Sequence, residues 1–192
     1  MKKALRVVVS IAICVGLVCG YYYYLLHRNG NKTEETTEQT TEVEKIIQKD
    51  FEKNYPKTPR EVVKWYNRII TAFYGEEYTD DELEDMADQA RMLMDDELLS
   101  YNPRDTYIKN LKADIEDYKT RKKTIVQSSV SDSNDITYAT VQGDYCAYVD
   151  AYYFSREASD YSRTYEEFVL RKDDDGHWKI LTFRLMEGDY NE

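Results

Sequence analysis

The sequence predicts an α+β protein: an N-terminal transmembrane helix, then helices packed on a curved antiparallel sheet. Three observations carry this expectation. An uncharged apolar run, Val7–Leu26, follows a basic start. Apolar residues then recur at helical spacing as far as Tyr118. From Thr124 onward the period changes to strict alternation, in segments separated by polar turns.

Each element can be justified in order. Residues 1–6 form a basic N-terminus, with Lys2, Lys3 and Arg6 ahead of the apolar run. At helical rise the run Val7–Leu26 reaches about 30 Å, the thickness of a bilayer's hydrocarbon core. Its flanking cations place the N-terminus in the cytoplasm and everything after the run on the extracellular side of the cell membrane. Tyr21–Tyr24 at the exit suit the head-group layer, and His27 and Arg28 mark the water boundary. A cleaved signal peptide fits less well, because bulky apolar residues follow the passable site at Val18-Cys19-Gly20. A lipoprotein anchor needs a small residue before its cysteine, and Ile13 and Val18 precede Cys14 and Cys19. Residues 27–42 are a Thr/Glu-rich linker, which has almost nothing to bury and reads as a solvated spacer.

Residues 43–55 form an amphipathic helix carrying Val43, Ile46, Ile47 and Phe51, with Thr41 and Glu44 spaced as a capping box and Pro56 as its stop. The domain proper occupies residues 56–187, followed by an acidic tail, 188–192. Thr58-Pro59-Arg60-Glu61 starts a helix running to Gly75, with Val62, Tyr66, Ile69 and Phe73 in one stripe. Thr79 and Glu82 start another, whose apolar positions recur from Leu83 to Leu98. Asn102-Pro103 closes that helix and caps a third, with Ile108, Leu111, Ile115 and Tyr118 on its buried side. Strands are expected at about 124–130, 136–142, 145–154, 162–171 and 178–186. Gly143-Asp144 and Asp173–Gly176 serve as hairpin turns between them. On the last two strands both parities are apolar, since Phe168 and Leu170 alternate with Val169, and Leu181, Phe183 and Leu185 with Trp178 and Ile180. One face packs on the helices; the other needs cover from the segment around Phe51, a second copy or a partner.

Composition excludes some functions. The 192 residues carry a net charge of −11, and all 37 acids lie after Arg28 while four of the 26 basic residues lie at or before it. A domain that acidic has no footprint for nucleic acid. Of three cysteines only Cys146 lies outside the apolar run, so no intramolecular disulfide is expected in the domain. Cys146 reads as a half-buried strand residue. Of the two histidines, His27 belongs to the membrane boundary and His177, which a relay would need, lies in or next to an exposed turn. Cys146 with His177 offers too few ligands for zinc, and neither a nucleophile elbow nor a phosphate-binding loop occurs. Asp173-Asp174-Asp175-Gly176 lacks the alternate ligand spacing and distant Glu of a calcium loop and reads as a turn. Asp80 to Asp88 reads as a solvated acidic face begun by a helix N-terminus. No catalytic, cofactor-binding or metal-binding residue is assigned. Asp150 and Glu167 are the strand acids considered, and Asp150 does not share a face with Tyr145, Val149 and Tyr153.

The segment Arg163–Leu185 (RTYEEFVLRKDDDGHWKILTFRL) resembles the closing hairpin of nuclear-transport-factor-2-like (SnoaL-like) domains, and Gly143-Asp144 before Tyr145 and Ala147 is similar to the hairpin preceding it there. The chain as a whole looks like membrane-anchored proteins of clostridia-type bacteria that carry such a domain. The resemblance implies a cone of sheet wrapped round a helix, often with a pocket, in a family that includes isomerases, cyclases, export-machinery subunits and binding modules. The expected function is a non-enzymatic, membrane-tethered extracytoplasmic binding or assembly module, such as a subunit of an envelope or export complex, with a protein partner or self-association. The alternative is a tethered small-molecule enzyme or receptor using the cone's cavity. In a pure binding module that cavity would be narrow or filled by Trp65, Ile69 and strand tyrosines, with Asp150 and Glu167 solvated. In an enzyme a carboxylate with a raised pKa would sit deep in an apolar pocket within hydrogen-bond reach of a tyrosine hydroxyl.

Overall fold

Three helices start on the same device. In the computed structural model, which describes residues 40–186, Thr41, Thr58 and Thr79 each accept a backbone N–H from Glu44, Glu61 and Glu82. Each glutamate in turn accepts the threonine's backbone N–H. These capping boxes begin α1 (Glu42–Ile47), α2 (Pro59–Gly75) and α3 (Asp80–Arg91). Two more helices, α4 (Asp96–Tyr101) and α5 (Arg104–Thr120), precede five strands. The strands are β1 (Lys123–Val130), β2 (Thr137–Val141), β3 (Asp144–Glu157), β4 (Asp160–Lys172) and β5 (Trp178–Met186). The expected anchor Val7–Leu26 lies outside the described residues, as does the tail. Among the described residues no helix is long and apolar enough to cross a membrane.

The structure corrects the helix ends. The helix expected over 43–55 stops at Ile47, and Phe51–Asn54 form a turn in which the Asp50 carboxylate accepts the Lys53 backbone N–H at 2.9 Å. A short acidic side chain competing for a backbone donor favours a turn over a continued helix. The helix expected to run from Thr79 to Leu98 breaks after Arg91. There the backbone of Leu93 and Asp95 bonds β5 instead: Ile180 N–H donates to Leu93 O, and Asp95 N–H to Ile180 O, both at 2.9 Å. This tertiary pairing overrides the helical period and covers the outer edge of β5, which would otherwise offer open backbone groups. Asn102 does not cap α5; Pro103 stands at the cap, and Asn102 Nδ2 donates back to Leu98 O.

The sheet is antiparallel throughout, in the order β1-β3-β4-β5. The long β3 is its spine: β1 pairs with its C-terminal half and β2 with its N-terminal half, end to end on the same edge. The β2–β3 turn sits one residue earlier than expected. Asp144 already pairs with Val141, so the loop is Gln142-Gly143, with φ of 54° and 101°. Two successive positive φ values define a type I′ hairpin, which suits the twist of the flanking strands.

Register explains the core. Val149 pairs with Phe168, Ala147 with Leu170, and Phe168 with Phe183, so these side chains share the inner face. α2 lies across that face, and Ile69, Phe73, Val149, Phe168, Leu170 and Ile180 are fully buried. Two bulges interrupt the ladder: Val126 is extra in β1, and Leu181 in β5. The second corrects the parity expected for β5. Ile180 and Phe183, three residues apart, both face inward, because a bulge residue consumes one step of the alternation.

The segment around Phe51 does not cover the second sheet face. Phe51 packs edge-on against Trp65 of α2, ring centroids 5.6 Å apart, so the N-terminal segment extends the helical layer. The outer face of β3–β4 instead carries its own aromatic rows: Tyr152 against Tyr165 at 6.0 Å, and Phe154 stacked on Tyr161 at 5.3 Å. The Arg163 guanidinium lies 5.2 Å from the Tyr152 ring centre.

Candidate functional site

On β4 the inward positions read Thr164, Glu166, Phe168, Leu170. The last two are fully buried core. Two residues before Phe168, the same parity places a carboxylate on the inner face. Its cross-strand neighbours are Ala151 on β3 and Leu185 on β5.

Glu166 lines a half-open cavity of about 410 Å³ between the helices and the end of the sheet. α2 contributes Tyr66, Ile70 and Tyr74, and α5 contributes Tyr107, Leu111 and Tyr118, with Asn110 and Asp114 exposed at the rim. Tyr153, Thr164 and Phe183 complete the sheet side. The walls are therefore largely aromatic. Tyr74 and Tyr118 lie 4.1 Å apart between ring centres, and Tyr66 packs on Phe183 at 6.2 Å.

The electrostatics follow from burial. Removal from water pushes the Glu166 carboxyl up to about 7, because an ionised oxygen loses solvation there. Glu166 makes no hydrogen bond or ion pair among the described residues. Burial also raises Tyr66 and Tyr153 well above the phenol range, with neighbouring phenols and the negative Glu166 adding to it. Tyr107 is pushed up to about 12 by burial, opposed by the nearby Arg91. These phenols are neutral, and the Tyr153 hydroxyl donates to Asn67 Oδ1 at 2.5 Å.

Several other carboxylates in the fold are matched by arginine. Arg171 binds both oxygens of the buried Asp95 at 2.8 Å, while Arg121 does so for Glu157 at 2.7 and 3.0 Å. Arg68 pairs with Glu42, and Arg184 approaches Glu167 at 2.8 Å. Glu166 departs from that pattern.

The acids considered from sequence lie elsewhere. Asp150 and Glu167 pair across β3–β4 on the outer face. Partial burial, followed by the Glu167 charge, raises the Asp150 carboxyl. Neither residue lines the cavity, and neither Trp65 nor Ile69 fills it. Glu166 is the site residue that sequence reasoning misses beside its neighbour Glu167; the phase set by Phe168 and Leu170 is the signal that places it on the inner face.

One other constellation holds ligand-type atoms. Asp173, Asp175 and His177 bring theirs within 4.8 Å of one another in the β4–β5 loop. Asp173 Oδ1 already accepts the backbone N–H groups of Asp175 and His177 at 3.1 and 2.8 Å, and Lys179 Nζ lies 3.8 Å from Oδ2. An aspartate committed to its own turn, with an ammonium beside it, suits a hairpin better than a metal. Cys146 is buried, and burial raises its thiol, as for a structural residue.

Fold and cavity together define a class: an α+β domain with helices on one face of an antiparallel sheet, and an aromatic hollow holding one unmatched carboxyl. Over residues 1–183 the chain matches the family described as Domain of unknown function (DUF6715), and it belongs to that family. No curated protein matches it.

Proposed function

We propose that this chain is a membrane-tethered, extracytoplasmic binding module of nuclear-transport-factor-2-like form, and that its binding place is the cone's cavity. The observation that carries the reading is Glu166, a carboxyl with no partner among the described residues, in an aromatic hollow of about 410 Å³. That volume falls within the range of small-molecule sites, and a few polar groups in apolar walls are their usual construction. Tethering rests on the charge asymmetry around Val7–Leu26. The family match runs through that segment and the domain alike. A receptor is favoured over an isomerase or cyclase because, among the described residues, Glu166 has no hydroxyl or second acid at hydrogen-bond distance to steady an oxyanion, and the Tyr153 hydroxyl is taken by Asn67.

The test uses the full chain in a maltoside detergent, screened against small aromatic and aliphatic fragments by ligand-observed NMR. Asn110→Trp places a large ring on the exposed rim. Fragments should bind the parent protein and be lost in Asn110→Trp. Equal binding to both, or none to either, would reject the cavity as the site. External protease on intact cells should remove the domain; full protection would reject the orientation.

A second reading, assembly with a protein partner or another copy, is favoured by the half-buried aromatic rows on the outer face of β3–β4, in which Tyr161 is exposed. Such a module would serve as a subunit of an envelope or export complex.

A further inference from the structure

The chemistry of the cavity wall narrows what enters it. Among the described residues its lining includes two carboxylates, Glu166 and Asp114, and no lysine, arginine or histidine. It also includes five tyrosine rings and Phe183. The faces of such rings carry the negative lobe of the quadrupole and attract a cation within about 6 Å of the centroid. An arginine stands against Asp95, Glu157, Glu42 and Glu167, whereas Glu166 has none among the described residues. A half-buried carboxylate left beside aromatic faces is a counter-charge without its ion.

Building on the cavity reading above, we propose that the hollow recognises a small organic cation, a primary or quaternary alkylammonium, with Glu166 as counter-ion and the rings of Tyr66, Tyr107 and Tyr153 around it, while Tyr74 and Tyr118, packed on one another at 4.1 Å, close the wall. The rim carboxylate of Asp114 steers the cation inward. A volume of about 410 Å³ admits a head group with a short apolar tail. The tail meets Ile70, Leu111 and Ile125. Neutral phenols keep the wall free of negative charge other than the two acids. Binding draws the proton off Glu166, so affinity rises with pH. The titratable groups lining the cavity with Glu166 are Tyr66, Tyr74, Tyr107, Tyr118, Tyr153 and Asp114, with the Arg91 guanidinium 5.6 Å from the Tyr107 ring centre and Lys123 Nζ 4.7 Å from the Tyr118 ring centre.

The experiment pairs each cation with a neutral analogue of like shape: choline with 3,3-dimethylbutan-1-ol, and benzylamine with benzyl alcohol. Binding is measured calorimetrically on the full chain in a maltoside detergent. The charged member of at least one pair should bind tenfold or more tightly than its neutral analogue. That preference should vanish in Glu166→Gln and in Asn110→Trp, and weaken about tenfold between about pH 8 and about pH 5.5, as a carboxyl titrating near neutrality requires. Glu166→Asp keeps the charge and should retain part of the preference, which separates loss of the counter-ion from loss of the fold. No preference for the charged member in either pair overturns the inference, as does a preference that survives Glu166→Gln. If the neutral analogues bind equally and Asn110→Trp abolishes them, the cavity reading stands and the cation inference alone fails.

Discussion

Glu166→Gln keeps the shape of the side chain and removes its ionisation, so it isolates the cost of holding a carboxyl in the cavity. Burial raises this group from its usual 4.5 to about 7. In that interval the unfolded chain releases the proton first and the folded chain retains it. The folded state then binds more protons, and stability falls as pH rises. The contribution is intact below the unfolded value and wholly lost above the folded one. For a fully desolvated group the loss would be roughly 3 kcal/mol. Glu166 is only half-buried, and solvent screening reduces the expectation to about 1–2 kcal/mol. Urea denaturation of the full chain in detergent, followed by the fluorescence of Trp65 and Trp178, measures it. From about pH 5 to about pH 8 the parent should lose that amount relative to Glu166→Gln, with Glu166→Gln the more stable at the alkaline end. Parallel profiles, or a Gln variant destabilised at every pH, would refute the placement of Glu166.

Three further outcomes follow from the packing. Asp95→Ala should cost about 2–4 kcal/mol, because it uncaps α4 and strips Arg171 of its buried partner while Glu97 and Asp144 remain. A double-mutant cycle with Arg171→Met by urea denaturation should show strong coupling. Burial raises the Asp95 carboxyl, but Arg171 and the Glu97 backbone N–H outweigh it and hold it low. This stabilisation is therefore present above about pH 4 and lost on acidification through the lowered folded value. Phe168→Ala should cost about 3–5 kcal/mol in the same assay, as it empties a fully buried site between Tyr66 and Phe183. Thr58→Ala should lower stability by about 1 kcal/mol through loss of the α2 cap, and hydrogen exchange should quicken first at Glu61.

Much of the fold was legible because its signals are local. A threonine three residues before a glutamate starts each of the first three helices, and alternation locates all five strands to within a few residues. What escaped the sequence is non-local. Leu93–Asp95 leaves its helical pattern to pair with a strand far along the chain, which periodicity within a window does not register. The site divides in the same way. The α2 and α5 stripes announced Tyr66 and Tyr118, but the cavity exists because those helices stand over one end of the sheet. Glu166 could be phased from Phe168; its lack of an arginine could not, since that depends on register across β4 and β5.

That register turns on Leu181. With Leu181 left out of the ladder, Thr182 stands opposite Val169, Phe183 opposite Phe168 and Arg184 opposite Glu167. Were Leu181 drawn into regular pairing with Val169, each following residue would slide by one. Thr182 would then face Phe168, and Arg184 would arrive opposite Glu166. One surplus leucine thus decides which of two adjacent glutamates owns the arginine: the outer one is paired at the surface and the inner one is left without it. Deleting Leu181 would preserve the pairings that exist, whereas flattening the bulge would disarm the cavity without altering a single residue within it.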